Sequence, residues 1–291
     1  MKKTTRLLSA AALIAAVALP AFAQEQVSFK LLGGLAWIQG DDYNKGVLGQ
    51  TQYAGDTSAS VTGSYKELKN GGDLQFEIVN YWGPHLGVGV GGGFYRLTNT
   101  SGISGAAPAS DPTYEFASSF TPKISAIPLY VNVHYRMRLA PRVGLDVFAG
   151  PVFQVVEFNF KREATSSLDS LSETETFNAS RASLGAQAGL TCEVRLFRGV
   201  SLVMEGLYRA AKISKIEGNW FLSTTTASSG TTTTSDDAYS LWIYRDATGG
   251  GSDRIGFFDA DGPTGETISN ARRAEIKLSG PALMIGFKFA L

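Results

Sequence analysis

Two histidines and one cysteine stand beside 26 acidic and 26 basic side chains in this 291-residue chain, so few residues can carry nucleophilic, acid–base or metal chemistry. A Ser–His–carboxylate set would serve acyl transfer. His85 lies in the turn Gly83-Pro84-His85, and His134 lies in a segment of alternating apolar residues, on the face that carries Tyr130, Asn132 and Arg136. Such a histidine reads as a hydrogen-bonded interior residue rather than a base, and no catalytic residue is assigned. Two His and one Cys are too few for a nitrogen- or sulfur-ligated metal centre. Asp253, Asp259, Asp261 and Glu266 could approach calcium, but the EF-hand spacing is absent, and they read as a solvated acidic loop. Val88-Gly89-Val90-Gly91-Gly92-Gly93 is not a phosphate loop, for no Lys-Ser/Thr and no helix follow it. Cys192 reads as a small apolar filler, and Thr224 to Thr234 as flexible surface. No cofactor or metal site is expected, and the balanced charge gives no footprint for nucleic acid.

The elements that hold these residues begin after an export signal. Lys2, Lys3 and Arg6 precede an apolar run, Leu7 to Leu19, broken by Pro20 and followed by Ala21-Phe22-Ala23. That is a cleavable signal peptide over 1–23, too short in its apolar run to span a bilayer. Beyond it the apolar period is two, which argues strands. Eight segments show it. Val27 to Trp37, Leu74 to Trp82, Leu86 to Phe94, Ile127 to Tyr135, Ala182 to Val194 and Val200 to Tyr208 alternate cleanly. Two others, Val143 to Phe160 and Ile276 to Leu291, change phase at Gly150-Pro151 and Gly280-Pro281, where a bulge or kink is expected.

Short turns around Gly83-Pro84-His85, Ala140-Pro141-Arg142 and Phe197-Arg198-Gly199 alternate with long polar connections at about 39–72, 97–122, 161–177 and 217–270. That is the pattern of an all-β, eight-stranded, antiparallel up-and-down transmembrane β-barrel over 24–291, with long extracellular loops and short periplasmic turns. In lipid every backbone polar group needs a partner, so a sheet spans only when it closes on itself. The apolar face then meets lipid. Lys30, Glu77, Arg136, Asp146, Glu193, Arg195, Glu205, Arg209 and Lys277 turn inward as a mixed-sign charge network, and the glycines of Leu86–Phe94 make room for Tyr130 and Arg136. Eight strands enclose little more than side chains, so a filled lumen is expected. A soluble two-sheet sandwich would give the same alternation, with the apolar face inside.

The end of the chain, Met284-Ile285-Gly286-Phe287-Lys288-Phe289-Ala290-Leu291, resembles the C-terminal assembly signal of outer-membrane proteins through Gly286, Phe289 and Leu291, with Met284 and Leu291 departing from its polar and Phe positions. With the signal peptide and the strands, the chain resembles the small outer-membrane barrels of the OmpA/OmpX/OmpW-like and opacity-protein-like group, by pattern over 24–291 and not by residue identity. The resemblance implies the outer membrane of a Gram-negative bacterium, contact with lipid and lipopolysaccharide, and insertion by the barrel-assembly machinery with periplasmic chaperones. Some small barrels act on lipid A, but neither histidine reaches the outer-leaflet end. The expected role is structural or surface interaction through four long loops, which could present to an extracellular ligand of unknown kind. The alternative is an OmpW-like narrow channel for small hydrophobic or ionic solutes.

Overall fold

The structure, a computed structural model, describes residues 26–106, 115–167, 170–247 and 251–291. The expected signal peptide, 1–23, lies outside the described residues. Strands dominate. β1 (Gln26–Trp37), β2 (Asn70–Trp82), β3 (Leu86–Thr98), β4 (Glu115–Ala140), β5 (Val143–Ser166), β6 (Leu171–Phe197), β7 (Val200–Ala210) and β8 (Gly280–Ala290) pair in sequence order, each antiparallel to the next. β8 pairs back with β1, Leu31 facing Phe287.

The expected strands number eight, whereas sixteen are present among the described residues. The difference lies in the long connections, which are themselves built. The first holds α1 (Asp42–Thr57) and the strand Ser60–Ser64, which pairs with Ser101–Ala106 of the second connection. β4, β5 and β6 run to 26, 24 and 27 residues, far beyond the ~9–11 that cross a bilayer. The last connection folds into Glu217–Thr226, which extends the sheet from β6, Gly230–Asp246, Asp253–Phe258 and Ile268–Arg273. The Thr-rich run expected to be flexible is the tip of the first hairpin here. Its β-branched residues suit strands, Thr225 and Thr231 meet at 2.9 Å, and Gly230 takes the positive φ of 71° that the turn needs.

Neither expected phase change occurs. Asp146, Phe148, Val152, Gln154, Val156, Phe158 and Phe160 of β5 are all buried, and β5 pairs with β6 from Val143 to Ser166 without a register shift. The inward face simply changes from polar to apolar, which mimics a slip in a hydrophobicity pattern. Ile276 and Leu278 likewise continue the inward parity of Ala282 and Met284. Lys277, expected inside, therefore faces outward and is half exposed, paired with Asp41 at 2.8 Å.

The outward face is apolar over a limited band. On β4 it runs from Ile127 to Leu139, and on β5 from Leu145 to Val155, after which Glu157, Asn159 and Lys161 follow. Eleven residues at ~3.3 Å each, tilted by ~45°, rise about 25 Å, the height of a barrel's lipid belt. Leu184 is 76% exposed while Lys30 is 1% exposed, the inverse of a sandwich, whose apolar faces would be inside.

Candidate functional site

The interior has two layers. Toward the short-turn end it is ionic. Lys30 of β1 reaches Glu77 of β2 at 2.5 Å and Glu205 of β7 at 3.1 Å, and Thr191 donates to the same Glu205 oxygen. Glu77 also accepts from Asn132 at 2.8 Å and meets His134 Nε2 at 3.0 Å. His134 Nδ1 lies 3.0 Å from Asp146, whose same oxygen accepts from the Tyr81 hydroxyl at 2.5 Å. Lys288 pairs with Glu193 at 2.8 Å, and Arg209 lies 3.5 Å from Asp73. The Arg136 guanidinium covers the Tyr81 ring at 4.1 Å.

Strand register brings these together. Period-two alternation puts every second residue inside, and antiparallel pairing sets Lys30 opposite Glu77 and Arg136 opposite Asp146. The glycine face of β3 supplies the space. A Cβ at Gly89 would lie 2.7 Å from His134 Nε2 and closer still to Glu77, and one at Gly91 would lie 2.5 Å from the Tyr130 ring. Tyr130 occupies the room foreseen for it, and the imidazole and Glu77 take the rest.

Each His134 nitrogen faces a carboxylate, and a carboxylate has no hydrogen to give. Both contacts are hydrogen bonds only if the imidazole carries two protons or one carboxyl keeps its own. With an imidazolium, the cations Lys30, Arg136, His134, Arg209 and Lys288 balance the carboxylates Asp73, Glu77, Asp146, Glu193 and Glu205. Buried charges persist when so paired.

Of the expected network, Lys30, Glu77, Asp146, Glu205 and Arg209 are buried within it. Arg136 and Glu193 are half-buried below it, Arg195 is exposed at the short-turn rim, and Lys277 is outside. Lys288 escaped the sequence reading because it sits among the outward Phe287 and Phe289. Strict alternation on β8 would have found it.

Toward the long-loop end the interior is apolar. Phe257, from the last connection, stacks on Phe177 at 4.4 Å and meets Phe160 at 4.8 Å, and Tyr43 of α1 meets Phe158 edge-on at 5.8 Å. Each buried aromatic here contributes about 1.5–3 kcal/mol. Gly46 and Gly49 let α1 approach the Asp253–Phe258 strand, where a Cβ would strike Ile255 or the Asp253 carbonyl. Two acid–base pairs fix α1. Arg272 binds both Asp42 oxygens at 2.5 and 2.6 Å. Lys277, hydrogen-bonded to Asp41, holds the Asp41 carboxyl below its usual range.

The acidic run of the last connection is not gathered. Asp253 pairs with Arg245 at 3.0 Å, Asp259 accepts from the amides of Asp261 and Gly262, and Glu266 is exposed. At the chain end, Gly286 faces Leu32 where a Cβ would strike backbone, Phe289 stacks on Phe29 at 6.4 Å, and the Leu291 amide donates to Val27.

Comparison with known proteins gives one family match: the outer membrane protein beta-barrel domain, over residues 9–235. No curated protein matches. Among solved structures, outer membrane protein OprG from Pseudomonas aeruginosa is similar at 11% identity and a TM-score of 0.37, over 92% of this chain and 97% of that one. A major outer membrane protein from Thermus thermophilus gives 14% and 0.32, over 91% and 99%. The outer membrane protease OmpT from Escherichia coli gives 11% and 0.34, over 93% and 98%.

Proposed function

From the premise that this chain belongs to the outer membrane protein beta-barrel family, and so resides in the outer membrane of a Gram-negative bacterium, we propose that it is a sealed eight-stranded transmembrane barrel. The apolar band meets lipid and lipopolysaccharide, the short turns face the periplasm, and the long connections face outward. The role is structural or one of surface interaction, carried by the folded outer end. Insertion by the barrel-assembly machinery, helped by periplasmic chaperones, belongs to the same reading, with Gly286, Phe289 and Leu291 as its signal.

The observation that carries this reading is the double closure of the interior, ions below and packed aromatics above. The glycine wall that would leave a channel is filled by Tyr130, His134 and Glu77, which weighs against a narrow transporter. Catalysis at His134 has no support either. Its two nitrogens are taken by carboxylates and the residue is fully buried. The test is a planar-bilayer recording of the purified protein. No steady conductance is expected, and reproducible single-channel steps would overturn the sealed-barrel reading.

A further inference from the structure

Below the ionic layer the short-turn end opens into a cavity of about 490 Å³. Its inner wall is Tyr81 and Arg136, and its sides carry Arg138, Arg142, Arg195 and His85. A second lobe of about 300 Å³ shares Tyr81, Arg136, Glu193 and Arg195 and adds Arg198. Glu193 is the one acidic side chain on these walls among the described residues, and it is spent on Lys288 at 2.8 Å and Ser201 at 2.7 Å. Arg138, Arg142, Arg195 and Arg198 have no carboxylate partner among the described residues.

The chain makes this concentration by two means. Arg136 and Arg138 share the inward parity of β4, and Arg195 that of β6, so three guanidiniums project from strands at either side of β5. Between them β5 offers Gly144, paired with Arg138 on one side and Glu193 on the other, and a Cβ there would meet nothing nearer than 3.8 Å. The space is left open and lined with forks of N–H donors. Elsewhere in the interior each cation has its carboxylate. Here the cations are in excess: Arg136 is half-buried, Arg138, Arg142, Arg195 and Arg198 are exposed around the mouth, and a guanidinium fork pairs with a planar or tetrahedral oxyanion through two parallel bonds.

We propose that this mouth is a binding site for a phosphate group, supplied either by the headgroup of an anionic phospholipid in the adjoining leaflet or by free phosphate. Only the naming of that leaflet as periplasmic rests on the orientation proposed above. The readout is binding and not conduction, so a failure here is separable from a failure of the sealed-barrel reading.

The full chain, purified in a zwitterionic detergent, is titrated with inorganic phosphate against chloride at matched ionic strength, which holds general screening constant. In parallel, native mass spectrometry counts retained phosphatidylglycerol against phosphatidylcholine. Saturable phosphate binding identifies a free anion, and selective phosphatidylglycerol retention alone identifies the lipid. In the double variant Arg138→Gln/Arg195→Gln either signal is expected to weaken about tenfold or more, as loss of charge-assisted hydrogen bonds implies. Arg138→Lys/Arg195→Lys is expected to recover part of it. Lys45→Gln/Lys212→Gln, equal in charge change at the far end, is expected to change nothing. Heat-modifiable gel mobility checks that each variant folds. Absence of both signals in the wild-type protein, or signals unchanged in the double glutamine variant, would overturn the proposal.

Discussion

Lys30 is the residue on which the ionic layer turns. It serves Glu77 and Glu205 at once, so Lys30→Met leaves two buried carboxylates without their shared cation. Breaking a buried pair this way costs about 3–5 kcal/mol. Urea unfolding from lipid vesicles is expected to show a loss of that size, and a change under ~1 kcal/mol, as at a surface pair, would refute the assignment. Gly89 sets the complementary limit of space. Gly89→Val would drive a side chain into Glu77 and His134, and the heat-resistant folded band on a gel is expected to disappear. At this scale much was legible. Alternation set Lys30, Glu77, Asp146, Glu205 and Arg209 on one face, and all five are buried. It named Lys277 wrongly because an imagined slip at Gly280-Pro281 reversed the faces. What no pattern of one strand could supply was partnership. That His134 of β4 stands between Glu77 and Asp146 depends on three registers, those of β2 with β3, β3 with β4 and β4 with β5.

The element least visible in advance was α1. Its sequence has few apolar residues and three glycines, Gly46, Gly49 and Gly55, each costing about 1 kcal/mol of helix propensity. It forms because Tyr43 and Val47 bury against the upper core and Gly46 and Gly49 permit contact with the Asp253–Phe258 strand. Tertiary contact, not local preference, makes this helix, and a single sequence holds little trace of that. Its anchoring predicts a pH response. The Lys277 hydrogen bond depresses the Asp41 carboxyl in the folded state, so the pair's contribution is present above the ordinary carboxylate range of about pH 4 and is lost as pH falls through the lower folded value. Hydrogen exchange of the α1 amides, corrected for intrinsic rate, is expected to quicken on acidification. Lys277→Met is expected to quicken it near neutrality and to reduce the remaining acid dependence. An unchanged profile in that variant would place the helix's anchoring elsewhere.

For the molecule as a whole, the lipid belt makes a demand distinct from that of the core. Val133 lies midway along the apolar band of β4 and is 59% exposed. Val133→Arg is expected to cost about 2–4 kcal/mol in vesicles, the penalty of a charge at the bilayer midplane, and far less in detergent micelles. Lys123 lies on the same outward face, above the band. The strand period and the alternation of connection lengths made this belt readable, since lipid imposes one chemistry on one face. The outer end follows no such rule and had to be seen. Its construction bears on attempts to shorten the protein. Phe158, Phe160 and Phe177 belong to the wall, yet their packing partners come from α1 and the final connection. A trimmed version that kept the cylinder and discarded its crown would leave a ring of oily aromatics lining a water-filled cup. Such a minimal scaffold would be prone to clumping, so the apparent decoration is better regarded as the other half of the fold.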